Sequence, residues 1–350
     1  MLVDAHLDIA YNMWLGRDFL LPANETRAKE GPGGQAPDGD ICTVSLPDAL
    51  AGGIGLVFGS LFTNTALNPR HRAGYCYASP EEAHAQALIQ LQNYQRLTGS
   101  PGVLLVRNRA DLDALCQARQ SRAALGIIVD MEGAEPVLSP DDLSRWYESG
   151  VRQIGLAWAF GNRYCGGNMA PGPLTPAGQD LLRQMDRLGM ILDVSHLADE
   201  GFWQAMDIFH GPVVASHASC RALVPGPRQL SDDMIKAIIA RNGMIGIVMF
   251  NAFLKAGWSR EQGKVAVTLA DVVHHIDHIR QTVGSVDHIG IGSDMDGGLG
   301  YLDTPAEVDT IADLPRLAPA LAAAGFQPAQ VDGIMGGNWL RFLERVLPAA

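Results

Sequence analysis

Short apolar runs rich in β-branched residues recur along the chain, and segments with helical spacing separate most of them. The runs are apolar at successive positions rather than at alternate ones, which is typical of parallel strands buried on both faces. The predicted strands cover residues 2–5, 54–62, 126–131, 153–158, 190–194, 212–216, 244–250 and 288–292.

Helix start signals lie between these runs. Ser79, Ser139 and Thr175 each precede a proline, and this order suits the cap and first position of a helix. The predicted helices cover residues 80–94, 140–148, 176–188, 232–241 and 267–283. Eight strands with intervening helices predict a (β/α)8 barrel. A doubly wound open sheet is the alternative, but no GxGxxG loop follows the first strand.

Two segments of loop-like composition interrupt this pattern. They are rich in glycine, proline and polar residues, and they lie near residues 16–45 and 159–175. We expect both to be long loops on one face of a single domain that covers residues 1–350.

Histidines and carboxylates follow the predicted strands at their C-terminal ends. They are His6 and Asp8 after the first strand, Asp130 and Glu132 at the third, His196 after the fifth, His217 after the sixth and Asp294 after the eighth. Barrel enzymes build their active sites on this face. Imidazole and carboxylate ligands suit zinc or a similar divalent ion, and such ions generate hydroxide near neutral pH. The pattern therefore predicts a metal-dependent enzyme.

Composition excludes other classes. The formal charge is −12, which disfavours binding to nucleic acid or to an anionic membrane surface. The five cysteines are odd in number and form no CxxC pair, which argues against a disulfide framework and a structural zinc finger. We find no signal peptide, membrane span or lipid-anchor motif, so a soluble cytoplasmic protein is expected.

Motifs in a fixed order carry a resemblance to a known family. They are Val3-Asp4-Ala5-His6-Leu7-Asp8, Asp130-Met131-Glu132-Gly133, Asp193-Val194-Ser195-His196, Ala215-Ser216-His217-Ala218-Ser219, Arg228-Gln229-Leu230-Ser231-Asp232-Asp233 and Gly292-Ser293-Asp294-Met295-Asp296-Gly297. They resemble the renal (membrane) dipeptidase family of the amidohydrolase superfamily, and they span nearly the whole chain.

The resemblance implies a binuclear zinc centre, with manganese or cobalt left open as alternatives. The implied ligands are His6 and Asp8 for one ion, His196 and His217 for the other, and Glu132 as the bridge. A hydroxide between the ions would attack the peptide carbonyl, and Asp294 would pass its proton to the leaving amine. Arg228 would bind the substrate carboxylate, with Arg221 as its rival.

One position departs from the best-known members of the family. They have a substrate-contacting histidine after the fourth strand, where this chain has Trp158. A tryptophan donates one N–H but cannot carry a proton charge, so the substrate range is open. Asn162, Arg163 or Tyr164 could supply a replacement contact, and we predict Trp158 and Asn162 among the substrate-binding residues.

Several other polar residues have ordinary interpretations. Asp130 is expected to orient a ligand, Asp193 to do the same or to pack as a satisfied buried carboxylate, and Asp296 to substitute for Asp294 or to cap the loop that follows it. A nucleophilic pair of Cys220 and His217 is disfavoured by the metal set. Three further histidines are predicted to be solvated or to pack against neighbouring side chains: His274, His275 and His278.

These observations predict a zinc-dependent dipeptidase whose substrates include L-Xaa-D-Xaa dipeptides. A related amidohydrolase that acts on N-acyl amino acids or lactones is the alternative within the superfamily. A metal-binding protein without turnover is the alternative from another class, and the intact Asp294 argues against it. The expected partner is a small dipeptide, and the family suggests a homodimer.

Overall fold

The computed structural model describes residues 1–31, 41–69, 74–121 and 123–349. Eight parallel strands in these residues form a ring: β1 (Leu2–Leu7), β2 (Ile54–Phe62), β3 (Leu125–Glu132), β4 (Val151–Gly155), β5 (Ile191–Asp193), β6 (Val213–Ala218), β7 (Met244–Ile247) and β8 (Ile289–Ile291). Each strand pairs with its neighbours in chain order, and β1 pairs with both β2 and β8, so the ring is closed. The predicted (β/α)8 barrel is confirmed.

Helices follow most of the strands. They are α1 (Ile9–Trp14), α2 (Ala23–Glu30), α3 (Leu46–Ala51), α4 (Pro80–Leu97), α5 (Arg109–Ser121), α6 (Leu143–Glu148), α7 (Pro176–Leu188), α8 (Asp199–Ile208), α9 (Asp232–Ala240), α10 (Asn251–Leu254), α11 (Leu269–Val283), α12 (Leu317–Ala323), α13 (Pro328–Asp332) and α14 (Asn338–Val346). In the described part of the chain, none of them has both the length and the apolar character needed to cross a bilayer.

Local sequence signals set several helix ends, including those at the predicted caps Ser79 and Thr175. The side chains of Ser79, Thr175 and Ser231 accept a backbone N–H at the start of α4, α7 and α9. Gly189 ends α7 with a φ of 66°, a left-handed conformation that costs glycine least. Ser139 precedes a 3-10 turn, Pro140–Asp142, which continues into α6.

The structure shortens some predicted strands and adds elements that were not predicted. β4 and β7 end before residues 158 and 250 because the backbone leaves the hydrogen-bonded ladder as it enters the rim loops. Helix α2 lies inside the first predicted long loop. Residues 32–40 of that loop are outside the described residues. A short strand, Val103–Leu105, pairs beside the start of β3.

Two apolar layers hold the barrel together. The larger one packs the outer faces of the strands against the helices. The smaller one draws residues from strands around the whole ring, which can meet only inside it: Val3, Ala5, Leu56, Phe58, Ile128, Ile191, Val214 and Met244, together with Trp339 of α14. Trp339 is fully buried and donates its indole N–H to the carbonyl of Ile291 at 3.2 Å.

Gly290 makes room for this tryptophan. A Cβ at Gly290 would lie 2.2 Å from the indole Nε1 of Trp339, so any residue with a side chain would clash there. The interior below the rim is therefore filled with side chains, as barrel interiors are. The buried histidines and carboxylates of the candidate site lie above this interior, at the C-terminal rim.

Candidate metal centre

The rim residues singled out in the sequence come together above the filled interior. His6 is in β1, Glu132 ends β3, and His217 is in β6. Asp8, His196 and Asp294 lie in the segments that follow β1, β5 and β8. His6 and His217 are fully buried, and their rings stack with centroids 3.8 Å apart.

One part of the site joins two histidines to a carboxylate. Oε1 of Glu132 lies 2.8 Å from Nε2 of His196 and 3.3 Å from Nε2 of His217. The two Nε2 atoms are themselves 3.0 Å apart. All three donor atoms therefore point at one position.

The other nitrogen of each of these rings is held by the protein. Nδ1 of His196 lies 3.2 Å from Oδ1 of Asn168, and Nδ1 of His217 lies 2.8 Å from Oγ of Ser216. Ser216 in turn donates to Asp193. With Nδ1 donating outward, the Nε2 atom of a neutral ring presents its lone pair to the carboxylate of Glu132.

Burial keeps these rings in the neutral form. Burial and then the guanidinium of Arg228 lower the pKa of His196 to about 4. Burial and then the charge on His6 lower the pKa of His217 well below its usual range. Lone pairs and a carboxylate oxygen within 3.3 Å of one another are what a divalent cation binds.

The second part of the site is rich in carboxylates. Nε2 of His6 lies 3.6 Å from Oε2 of Glu132 and 3.8 Å from Oδ1 of Asp294. Donor atoms of His6, Asp8 and Asp294 lie within 4.8 Å of one another. Among the described residues, neither ring nitrogen of His6 has a hydrogen-bond partner, and nor has Oδ1 of Asp8, although all three atoms are buried. Orphaned buried atoms of this kind fit a bound cation, since burial without a partner is costly.

Electrostatics support the same interpretation. Burial and then the charge of Glu132 raise the pKa of Asp8 well above its usual range. Burial raises the pKa of Asp294 to about 7, and the neighbouring Glu132 adds to the effect. Burial likewise raises the pKa of Asp130, whose Oδ2 lies 3.9 Å from Nδ1 of His6, to about 7. Cations would relieve this crowding of buried carboxylates.

Arg228 lies at the edge of the site, where the sequence placed it. Its Nη1 donates to the carbonyl of Ser195 at 2.7 Å, and its Nη2 donates to the carbonyl of His217 at 2.8 Å. Nη2 also lies 3.3 Å from Nε2 of His196. The rival, Arg221, instead forms a bidentate salt bridge to Asp199, with both distances 2.7 Å.

Trp158 reaches the site and Asn162 does not. The Trp158 ring lies 6.1 Å from the His196 ring and 5.0 Å from the Phe62 ring. Asn162 uses its side chain inside its own loop, where Nδ2 donates to the carbonyl of Leu156 and Oδ1 accepts from the N–H of Tyr164. Its predicted contact with substrate stays a prediction.

Sequence reasoning missed the residues that hold the histidines. Asn168, Ser195 and Ser216 were not singled out, although a serine precedes both His196 and His217 in the sequence. That repeated Ser-His pair was the available signal. The sequence carried no comparable signal for Asn168, because Asn168 lies in a loop with other polar residues.

The remaining polar residues have structural roles. Asp296 accepts hydrogen bonds from Thr43 and from the N–H of Val44, and it pairs with Arg17 at 3.2 Å. Its side chain thus holds a segment distant in sequence, whereas the sequence predicted a cap on the loop after Asp296 or a substitute for Asp294. The buried ring of His275 lies between the N–H of Cys220 and the carbonyl of Leu254. Burial raises the pKa of the Cys220 thiol to about 12, which fits its lack of a nucleophilic role.

Solved structures share this fold. A dipeptidase AC, described as a metallopeptidase of family M19, superposes with a TM-score of 0.81 at 24% identity over 100% of this chain and 99% of its own. A metallopeptidase from Rhodobacter sphaeroides, liganded with a phosphinate mimic of the dipeptide L-Ala-D-Ala, superposes with a TM-score of 0.77 at 24% identity over 99% of each chain. At this identity the likeness establishes the fold.

Sequence relatives extend the comparison. An uncharacterized Klebsiella pneumoniae protein encoded in the pqqA 5′ region is 37% identical over 214 residues, which are 59% of this chain and 76% of that protein. The dipeptidase tcpJ of Claviceps purpurea is 33% identical over 208 residues, 57% of this chain but only 46% of the fungal protein. The family described as membrane dipeptidase (peptidase family M19) matches residues 1–350. With this match over the full chain and the metal-binding chemistry of its rim, the chain belongs to the membrane dipeptidase family M19 and is a hydrolase.

Proposed function

We propose that this protein hydrolyses the amide bond of dipeptides with two bound divalent ions, and that the ions are zinc. The observation that carries the proposal is the convergence of orphaned imidazole and carboxylate atoms beside an arginine. The donor types favour zinc over magnesium or calcium, which prefer oxygen alone. Manganese and cobalt are the alternatives that metal analysis must separate.

Five residues would hold the ions. His6 and Asp8 would bind one ion, and His196 and His217 would bind the other. Glu132 would bridge them, because its two carboxylate oxygens face different histidines. When bound, the ions would polarise the scissile carbonyl and lower the pKa of a water molecule.

Asp294 is the candidate for proton transfer. It follows β8 beside His6, and its φ of 60° aims the short carboxylate from a tight turn. In this position it would accept a proton from the attacking water and return it to the leaving amine. The carboxylate starts and ends the cycle in the same state, so protons balance.

Arg228 would bind the C-terminal carboxylate of the substrate. A guanidinium has five N–H groups, and the carbonyls of Ser195 and His217 accept from two of them. Its Nε has no partner among the described residues. The two backbone carbonyls hold the planar guanidinium in place, and its other N–H groups stay available to a substrate carboxylate.

The Rhodobacter sphaeroides neighbour binds a mimic of an L,D-dipeptide, which supports including C-terminal D-residues among the substrates. A second candidate reaction is hydrolysis of N-acyl amino acids. Trp158 favours it, because an indole beside His196 offers an acyl group an apolar surface where the best-known members of the family have a histidine.

The test is turnover of matched L-Xaa-L-Ala and L-Xaa-D-Ala dipeptides by the zinc-loaded protein, with metal content measured in parallel. Cleavage with about two metal ions per chain supports the proposal. Two ions bound without cleavage of any dipeptide, but with cleavage of N-acyl amino acids, would replace it with the second candidate.

A further inference from the structure

Aromatic rings line one side of the metal centre in an unbroken series. We name Tyr11, Phe62, Trp158 and Phe160 the aromatic wall. The Phe62 ring is 5.1 Å from Tyr11 and 5.0 Å from Trp158, and Trp158 is 5.6 Å from Phe160. These separations are those of aromatic rings in contact.

The aromatic wall begins next to the metal ligands. Phe62 pairs with Glu132 in the register between β2 and β3, so both side chains leave the same face of the sheet at the rim. At the other end, Trp158 lies 6.1 Å from the ring of His196. Phe62 is buried, whereas Tyr11, Trp158 and Phe160 keep part of their surface exposed. The wall therefore offers apolar surface to whatever occupies the centre.

The position of Arg228 decides which end of the substrate faces the aromatic wall. Arg228 is bonded to the ends of β5 and β6, and these strands lie across the ring from β1 and β2. Tyr11 follows β1 and Phe62 ends β2. A dipeptide whose carboxylate is on Arg228 and whose amide is at the metal ligands places its N-terminal residue toward β1 and β2, against Tyr11 and Phe62. Trp158 lies nearer to Arg228, beside His196, and joins this surface through its contact with Phe62 at 5.0 Å.

We infer that the aromatic wall binds the side chain on the acyl side of the scissile amide, and that it selects large apolar or aromatic groups there. This inference rests on the proposed function. A dipeptide with an N-terminal Phe, Trp or Leu is the substrate class it names. An N-acyl amino acid with a phenyl-bearing acyl group offers the same surface without an ammonium group.

The test compares kcat/KM across Gly-Ala, Ala-Ala, Leu-Ala, Phe-Ala and Trp-Ala on the zinc-loaded full chain. We expect an increase of about 10- to 100-fold from Ala-Ala to Phe-Ala, the range that differential burial of a large apolar side chain gives. Ala-Phe should gain less than Phe-Ala, because its ring lies on the Arg228 side. A flat X-Ala series, or a larger gain for Ala-Phe, overturns the inference while leaving dipeptide hydrolysis intact.

One further substrate separates the sources of the acyl group. 3-Phenylpropanoyl-Ala is Phe-Ala without its amino group. Cleavage of this compound with no cleavage of any dipeptide would retain the aromatic wall and refute the dipeptidase proposal. No cleavage of either class, with metal bound, refutes both.

Variants locate the effect in the wall. Trp158→Leu should reduce the Phe-Ala to Ala-Ala ratio by about tenfold, and Trp158→Phe should keep most of it, because a ring is retained. Trp203→Leu is the matched control, since Trp203 is a 41% exposed tryptophan on α8. A ratio in Trp158→Leu equal to that of Trp203→Leu, at equal metal content, would refute the assignment of Trp158.

Discussion

The two parts of the metal centre differ in what holds their side chains. We call His196 and His217, which lie at β5 and β6, the β5–β6 half, and His6, Asp8 and Asp294, which lie at β1 and β8, the β1–β8 half. In the β5–β6 half, each ring nitrogen that faces away from Glu132 is held by a polar side chain. In the β1–β8 half, the described residues offer no hydrogen-bond partner to either ring nitrogen of His6 or to Oδ1 of Asp8.

This difference indicates how each half is organised. The β5–β6 half is positioned by the protein, through Asn168 and through Ser216 and Asp193. The β1–β8 half brings buried carboxylates near one another, and a cation is what would order them. We therefore expect the two halves to respond differently to mutation and to metal removal.

The largest expected effect comes from the residue between the halves. Glu132→Gln should lower kcat/KM by about 1000-fold or more and reduce bound metal, because it removes the charge that faces three histidines. Metal content by mass spectrometry and dipeptide turnover check it. Glu148→Gln, which changes an exposed glutamate of α6, is the matched control and should match the wild type. Full metal content and activity in Glu132→Gln would contradict the bridging role.

Asp294 and Asp296 give the next test, since they are neighbours with different environments. Asp294→Asn should lower kcat by about 100- to 10,000-fold while metal is retained, because an amide cannot accept the proton. Asp296→Asn should mainly lower the midpoint of thermal unfolding, because it weakens the bonds to Thr43 and Arg17. If Asp296→Asn loses more turnover than Asp294→Asn at equal metal content, the proton-transfer role is wrong.

Ser216→Ala tests whether the protein, rather than the ion, orders the β5–β6 half. It removes the hydroxyl between His217 and Asp193, and loss of such a partner weakens metal binding by about 10- to 100-fold. Competition with a zinc chelator measures the affinity. Ser285→Ala is the control, because this partly exposed serine lies away from the site and its side chain bonds to Asp287. An unchanged affinity in Ser216→Ala would remove the contrast between the halves.

Arg228→Ala tests the substrate side of the β5–β6 half. We expect KM to rise by about 10- to 100-fold for substrates with a free C-terminal carboxylate, the loss typical of a charged hydrogen bond. C-terminal amides of the same dipeptides should be affected less. Arg221→Ala removes the rival arginine and should leave KM near the wild-type value. Equal losses for acids and amides would contradict carboxylate binding by Arg228.

The contrast between the halves also shows what the sequence could predict. The apolar runs locate the strands, and the polar residues directly after them therefore locate the rim, which is why His6, Glu132, His217 and Asp294 were found. Asp130 and Asp193 were expected to orient ligands, but the partners through which the supports act were not identified, because their bonds join distant parts of the chain, as between Asp193 and Ser216 or between Asp4 and Ser293.

Loop residues mark the limit of sequence reasoning most clearly. Asn162 and Asn168 are the same residue type in one predicted loop, and the sequence favoured Asn162 because it lies nearer Trp158. The structure folds Asn162 onto backbone of its own loop and places Asn168 against His196. Only the path of the loop, which the backbone hydrogen bonds of residues 159–170 define, distinguishes the two.

The smallest expected effect comes from a histidine outside both halves. Burial lowers the pKa of His275 in α11 to about 4, below the usual 6.5. The unfolded chain therefore binds a proton that the folded protein excludes, so this contribution to stability is complete above pH 6.5 and is lost as the pH falls toward 4.

His275→Gln removes the titrating group, and its amide can replace the bonds to Cys220 and Leu254. Between pH 7.5 and 5.5, we expect the free energy of unfolding in urea to fall by about 1 kcal/mol less in His275→Gln than in the wild type. The exposed His210→Gln should follow the wild type. An equal pH dependence in all three proteins would show that His275 is not held neutral.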